Sequence, residues 1–244
     1  GAGLNGHSLG NLLITALTEI TGSYEAAITE SARVLAVQGS VLPATLRNIN
    51  LVAEVELPDE KIILHVKGES EISKTGGKVR RVWLDPANPA SYPPTIQAIL
   101  GADLILVGPG SLYTSVIANL LVPDLVEAIK ASRAYKFYIC NIASQRGETD
   151  GYSCEDHLRA IEKHAGHKLF DVVLANNRFD RSMPEGTDWV KVQTEDKHYP
   201  IYQADFVDTE NPWRHNPAKV AKTIIDLYME RTGPLVSREV GSSI

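Results

Sequence analysis

Apolar residues recur at helical spacing from Asn11 to Leu17 and again at Ile20, and Gly22 offers a stop. The same spacing from Tyr24 to Val37 predicts a second helix, with Ala27, Ile28, Ala32, Leu35 and Ala36 on its inner face. The period then changes. Leu51–Leu57 and Lys61–Lys67 alternate apolar and polar residues, which predicts half-buried strands in a hairpin or meander, and Val79–Leu84 predicts another. Prolines at 86, 89, 93 and 94 mark a loop before a short helix over Thr95–Leu100.

From residue 102 the pattern changes once more. Ala102–Val107, Tyr135–Asn141 and Phe170–Asn176 are short runs with little alternation, as expected of strands buried on both faces of a parallel sheet. Helical patterns over Val122–Ser132 and Ser153–His164 separate them, and Pro217–Arg231 predicts a closing helix. Val190–Val192 and Ile201–Val207 predict edge strands. The βαβαβ rhythm predicts an α/β fold, a Rossmann-like doubly wound and mostly parallel sheet with right-handed crossovers. No linker divides residues 1–244, so one domain is expected, with a small β excursion over residues 52–81.

Composition adds exclusions. A net charge of −6 over 244 residues argues against a general nucleic-acid binder but leaves room for a local basic pocket. No run of about 18 apolar residues predicts a membrane span. Two cysteines, Cys140 and Cys154, make no disulfide framework, which points to a reducing cytoplasm.

In open α/β sheets ligands bind beyond the carboxyl ends of the strands, so the candidate chemistry lies in three loops. In Gly108–Ser115, Gly108 and Gly110 permit tight turns and close approach of backbone to ligand. Ser111, Tyr113, Thr114 and Ser115 add hydroxyls, and a helix starting there would aim free N–H groups at an anion. An ordinary strand–helix turn with a Ser or Thr cap would use many of the same residues. The second loop offers Asn141, Gln145, Glu148 and Thr149 for hydroxyls and amides, with Arg146 suited to a phosphate. Capping of the next helix by Gly147–Asp150 is the plainer alternative. Asn176-Asn177-Arg178 also suits turn chemistry. Gly76-Gly77-Lys78 lacks the remainder of a Walker A motif and reads as a flexible hairpin tip. His164 and His167 fit a helix C-terminus better than a metal site. His198 and His215 are isolated in the sequence and read as exposed or satisfied in loops.

Gly6-His7-Ser8-Leu9-Gly10 spells G-x-S-x-G, the nucleophile-elbow pattern. An elbow needs an apolar strand before its serine, and Gly1–Asn5 is too short and glycine-rich to be one. A helix N-terminus built to hold an anion explains His7, Ser8 and Asn11 better.

That segment, continuing through Asn11-Leu12-Leu13 to Ile20, resembles the YvcK group of the CofD-like family. Val41–Thr45, Gly108–Ser115 with Asn119–Val122, and Asn141–Gln145 into Gly147–Tyr152 extend the resemblance over nearly the whole chain. It implies a bacterial, cytoplasmic protein that binds a nucleotide-sugar, typically UDP-N-acetylglucosamine, and is linked to gluconeogenic growth, cell shape and cell-wall synthesis. It also implies an alternative, a transferase moving 2-phospho-L-lactate onto the deazaflavin Fo, for which Mg²⁺ would neutralise the phosphates. The expected ligand-binding residues are His7, Ser8, Asn11, Gly108, Gly110, Ser111, Tyr113, Thr114, Ser115, Asn141, Gln145, Glu148 and Thr149. The family's glycine-rich strand–loop–helix, normally upstream of Gly-His-Ser, is not in this sequence. Ala143-Ser144 and Arg146 stand where the group usually has Met-Thr and Pro. No nucleic-acid or membrane partner is expected, and aromatic residues of the excursion could serve contacts between identical copies.

Overall fold

A computed structural model describes residues 9–36, 38–57, 62–193 and 199–233. Helices α1 (Leu9–Thr21) and α2 (Tyr24–Val34) pack on each other. Gly22, at φ +77°, turns the chain between them, and the Ser23 side chain caps α2 by accepting from the Ala26 N–H at 3.0 Å.

The excursion is an antiparallel sheet of β1 (Asn50–Glu56), β2 (Ile63–Lys67) and β3 (Lys78–Asp85), ordered β2-β1-β3. It includes a short helix, α3 (Glu69–Lys74), with a single buried apolar residue, Ile72. Gly76-Gly77 is therefore not a hairpin tip: it joins α3 to β3. A Cβ on Gly77 would lie 2.6 Å from the Glu56 carbonyl oxygen, so this turn is packed down.

The second sheet is parallel: β4 (Leu104–Val107), β5 (Tyr135–Ile139), β6 (Val172–Asn176) and β7 (Ile201–Ala204), in the order β4-β5-β6-β7. Helices α4 (Pro93–Gly101), α5 (Ala118–Leu120), α6 (Pro123–Ala131), α7 (Cys154–Ala165) and α8 (Pro217–Thr232) complete the order, with a π-helical turn, Leu112–Ile117, leading into α5. Alternation along β5 and β6 sorts the two faces. Tyr138, Cys140, Val173 and Ala175 join a core with α6, α7 and the π-helical turn. Phe137, Ile139, Val172 and Leu174 join another with Val220 and Ile224 of α8. The mixed α/β architecture with a parallel sheet between helices follows. The three-stranded sheet lies over the first core, contributing Ala53, Val55, Val79 and Val82.

Residues 190–192 form no strand. Val190 donates to the Ile142 carbonyl and the Lys191 carbonyl accepts from Cys154, so the backbone bonds go to loops rather than to a ladder. The strand read over Ile201–Val207 ends at Ala204. Among the described residues no single helix is long and apolar enough to cross a membrane.

Candidate functional site

Because β4–β7 are parallel, their carboxyl ends share one rim, and the loops after β4, β5 and β6 leave the sheet there. Gly108, at φ +79°, turns β4 into the first loop, and a Cβ there would sit 2.8 Å from the Ile139 carbonyl oxygen. Glycine is thus required for both backbone angle and clearance. Ser111 precedes the π-helical turn, and its carbonyl accepts from both Ser115 and Val116. The half-buried Ser111 and Ser115 side chains lie at the start of this turn.

One carboxylate ties the first two loops together. Glu148 is 1% exposed; Oε1 accepts from Thr114 Oγ1 at 2.9 Å and Gln145 Nε2 at 3.2 Å, and Oε2 from the Tyr113 N–H at 3.2 Å. Ser73, in α3, reaches Oε1 at 3.5 Å, which links the excursion to the same point. Thr149 Oγ1 accepts from the Gln145 N–H at 2.8 Å. The Tyr113 hydroxyl shares a hydrogen bond with the Tyr152 hydroxyl at 2.8 Å, and burial raises its pKa, so it stays protonated. Thr114 and Glu148 therefore spend their polar atoms on each other and on neighbouring donors, and together with Tyr113 and Thr149 they tie the two loops together. The cap of the following helix is Ser153 with Asp156, in a reciprocal capping box, rather than Gly147–Asp150.

Asn141 is different. Its Nδ2 donates to the Gly110 carbonyl at 2.9 Å, which fixes the amide plane, while its buried Oδ1 has no partner. An orphaned acceptor among glycine backbone is a position for a ligand donor. The Gly108 and Gly110 backbone, Ser115 and Asn119 close the polar end of a 380 Å³ groove, floored by apolar residues of β4 and α6. Arg146 is exposed.

His215 is satisfied in its loop, one of the two readings the sequence allows, but its partner is not legible there. Its Nε2 donates to the Cys140 carbonyl at 3.1 Å, beside Asn141, and burial lowers its pKa, so the neutral ring is favoured. A lone histidine in a loop carries no spacing signal, because this contact spans 75 residues. Asn176 is buried, accepting from Phe206 and donating to the Arg178 carbonyl, while Arg178 pairs with Asp180 and Asp205, the latter also held by Lys219. His164 is no helix-end cation: its Nε2 accepts from the Val82 N–H at 3.1 Å, and burial lowers its pKa. His7, Ser8 and His198 lie outside the described residues, as does the Asn11 side chain. Among the described residues no group of three His, Cys, Asp or Glu side chains could hold a metal ion. Glu148, whose carboxylate faces the first loop, already accepts from several protein donors, so the described residues do not fit a Mg²⁺ site.

Residues 1–207 match the family model described as 2-phospho-L-lactate transferase CofD, and the chain belongs to that family. Within it, the chain is similar to the gluconeogenesis factor of Halalkalibacterium halodurans, 43% identical over 93% of this chain and 72% of that one. It is also similar to the gluconeogenesis factor of Bacillus subtilis, 38% identical over 94% of this chain and 74% of that one. A crystal structure of a UPF0052-family protein from Bacillus halodurans superposes with a TM-score of 0.77 at 41% identity, covering 92% of this chain and 74% of that one. Against a 42%-identical relative from Nostoc sp., the chain spans only 52% of the longer protein.

Proposed function

We propose that the sheet rim holds a nucleotide-sugar of the UDP-N-acetylglucosamine type, and that the protein acts in the cytoplasm as a factor for gluconeogenic growth, cell shape and cell-wall synthesis. The observation that carries the reading is Asn141 Oδ1. It is buried and unpartnered at the lip of a glycine-bounded loop. An acceptor there needs a hydroxyl or amide donor, which a sugar has and the ionised diphosphate bridge of a nucleotide-sugar lacks. The backbone around Gly108 and Gly110, with the hydroxyls of Ser111 and Ser115, supplies donors suited to phosphates. The gluconeogenesis-factor names of the relatives support the gluconeogenic part.

The family model's description favours a second reading, transfer of 2-phospho-L-lactate to Fo. Calorimetry on the protein at its natural length separates the two. Saturable binding of UDP-N-acetylglucosamine, weakened in Asn141→Ala, supports the first. Binding of Fo without binding of the nucleotide-sugar overturns it in favour of the second.

A further inference from the structure

A second concavity, separate from the Gly108–Asn119 groove but bordered by Tyr113 and Tyr152 of the rim loops, lies between β3 and α7, with a volume of 260 Å³. Four cationic side chains line it: Lys78 and Arg80 from β3, and Arg159 and Lys163, one turn apart, from α7. A β-bulge between Val79 and Arg81 leaves Arg80 without a cross-strand partner, and bulges re-aim side chains. The carboxylates present do not balance this charge. Arg80 pairs with Glu56 and Arg159 with Asp156. Lys78 and Lys163 have no carboxylate partner among the described residues; Lys78 lies 5.9 Å from the Tyr152 ring centroid and Lys163 reaches only the Arg80 carbonyl, at 3.4 Å. Among the described residues the cleft therefore carries an excess of two positive charges, in a chain whose net charge is −6. Such a concentration of positive potential draws anions.

The floor adds hydrogen bonding. Tyr113 and Tyr152 share one hydrogen bond at 2.8 Å, which uses one of their two hydroxyl protons. The other is left to donate to an anionic oxygen. The volume is below the roughly 300 Å³ at which pockets for drug-sized molecules begin, so the space suits a phosphate-bearing group rather than a whole nucleotide-sugar.

We propose that this cleft is a second anion site, distinct from the Gly108–Asn119 groove, which takes a phosphate or diphosphate group bearing two or more negative charges. It does not depend on what the rim binds. The test titrates inorganic diphosphate into the protein at its natural length at low salt, followed by ³¹P NMR and calorimetry. Saturable submillimolar binding is expected, falling by at least about tenfold in the double variant Lys78→Gln/Lys163→Gln, the equivalent of about 1.4 kcal/mol. Lys78→Arg/Lys163→Arg keeps the charge and should keep the binding. Both positions are exposed, so thermal stability should hold in each double variant. Asn141→Ala should leave diphosphate binding intact. Absence of saturation at about 10 mM diphosphate, a concentration at which even a millimolar site would be filled, overturns the proposal. So does equal affinity in the Gln double variant, or loss of binding in Asn141→Ala alone, which would put the ion at the rim.

Discussion

Replacing Glu148 tests whether one buried carboxylate holds the two principal loops in register. Its partners among these loops are Thr114, Gln145 and the Tyr113 backbone amide, at 2.9–3.2 Å, and every one of them donates. A hydrogen bond to a charged group contributes about 1.5–3 kcal/mol, and a buried donor left unmatched costs about 1–3 kcal/mol. These contributions do not add, and Glu148→Ala is expected to lower stability by about 3–5 kcal/mol, a large share of a typical domain's 5–15 kcal/mol. Glu148→Gln is the informative partner. Its carbonyl oxygen can keep the Tyr113 N–H, while its amide turns toward Thr114 and Gln145. The Thr114 hydroxyl can rotate to accept and the Gln145 amide can flip, so the expected loss is about 1 kcal/mol. Urea unfolding at pH 7 followed by fluorescence measures both. Hydrogen exchange at Tyr113 should accelerate in the Ala variant only. An alanine cost below about 1 kcal/mol, or a Gln variant as damaged as the Ala variant, would refute the reasoning.

Other outcomes follow from the same geometry. Gly108→Ala meets both a positive φ of +79° and a 2.8 Å contact with the Ile139 carbonyl, so a loss of about 3 kcal/mol is expected in urea unfolding. Gly110→Ala, whose added carbon has no neighbour nearer than 3.4 Å, should cost under about 1 kcal/mol, and equal costs would contradict the assignment. Burial lowers the pKa values of His157, His164 and His215. Below the ordinary histidine value of 6.5 the unfolded chain then binds more protons than the folded one, so stability present at pH 7 should fall steadily toward pH 5. A melting temperature that is flat across that range would count against it. Asn141→Ala should weaken nucleotide-sugar binding about tenfold in calorimetry with little change in melting temperature, since it removes a ligand-facing acceptor.

Periodicity carried most of the architecture. The three apolar runs became β4, β5 and β6, although only β5 and β6 are largely buried and β4, at the end of the sheet, leaves Leu106 46% exposed; the excursion's alternation became β1 and β2, with β3 from the run over Val79–Leu84. What stayed hidden was local or long-range. Helix α3 buries only Ile72, too little to set a period. The extra residue per turn over Leu112–Ile117 has no side-chain code and read as an ordinary helix start. At the rim, polarity picked out loops that leave one edge of the sheet, but not how their side chains pair. Thr114 and Glu148 look equally suited to bind a ligand or each other, and only their proximity across 34 residues shows that they bind each other. The partner of His215, 75 residues away, was hidden for the same reason.

The parallel strands lie in the sheet in the order in which they occur in the chain, so β5, β6 and β7 each add beside a strand already made. Pairing can thus advance from β4 outward during synthesis, without waiting for a distant segment. The far side of the growing sheet is the exception. Phe137, Ile139, Val172 and Leu174 wait for α8, which follows all four strands in the chain, and a ribosome paused before Pro217 would present them as a greasy strip for chaperones to shield.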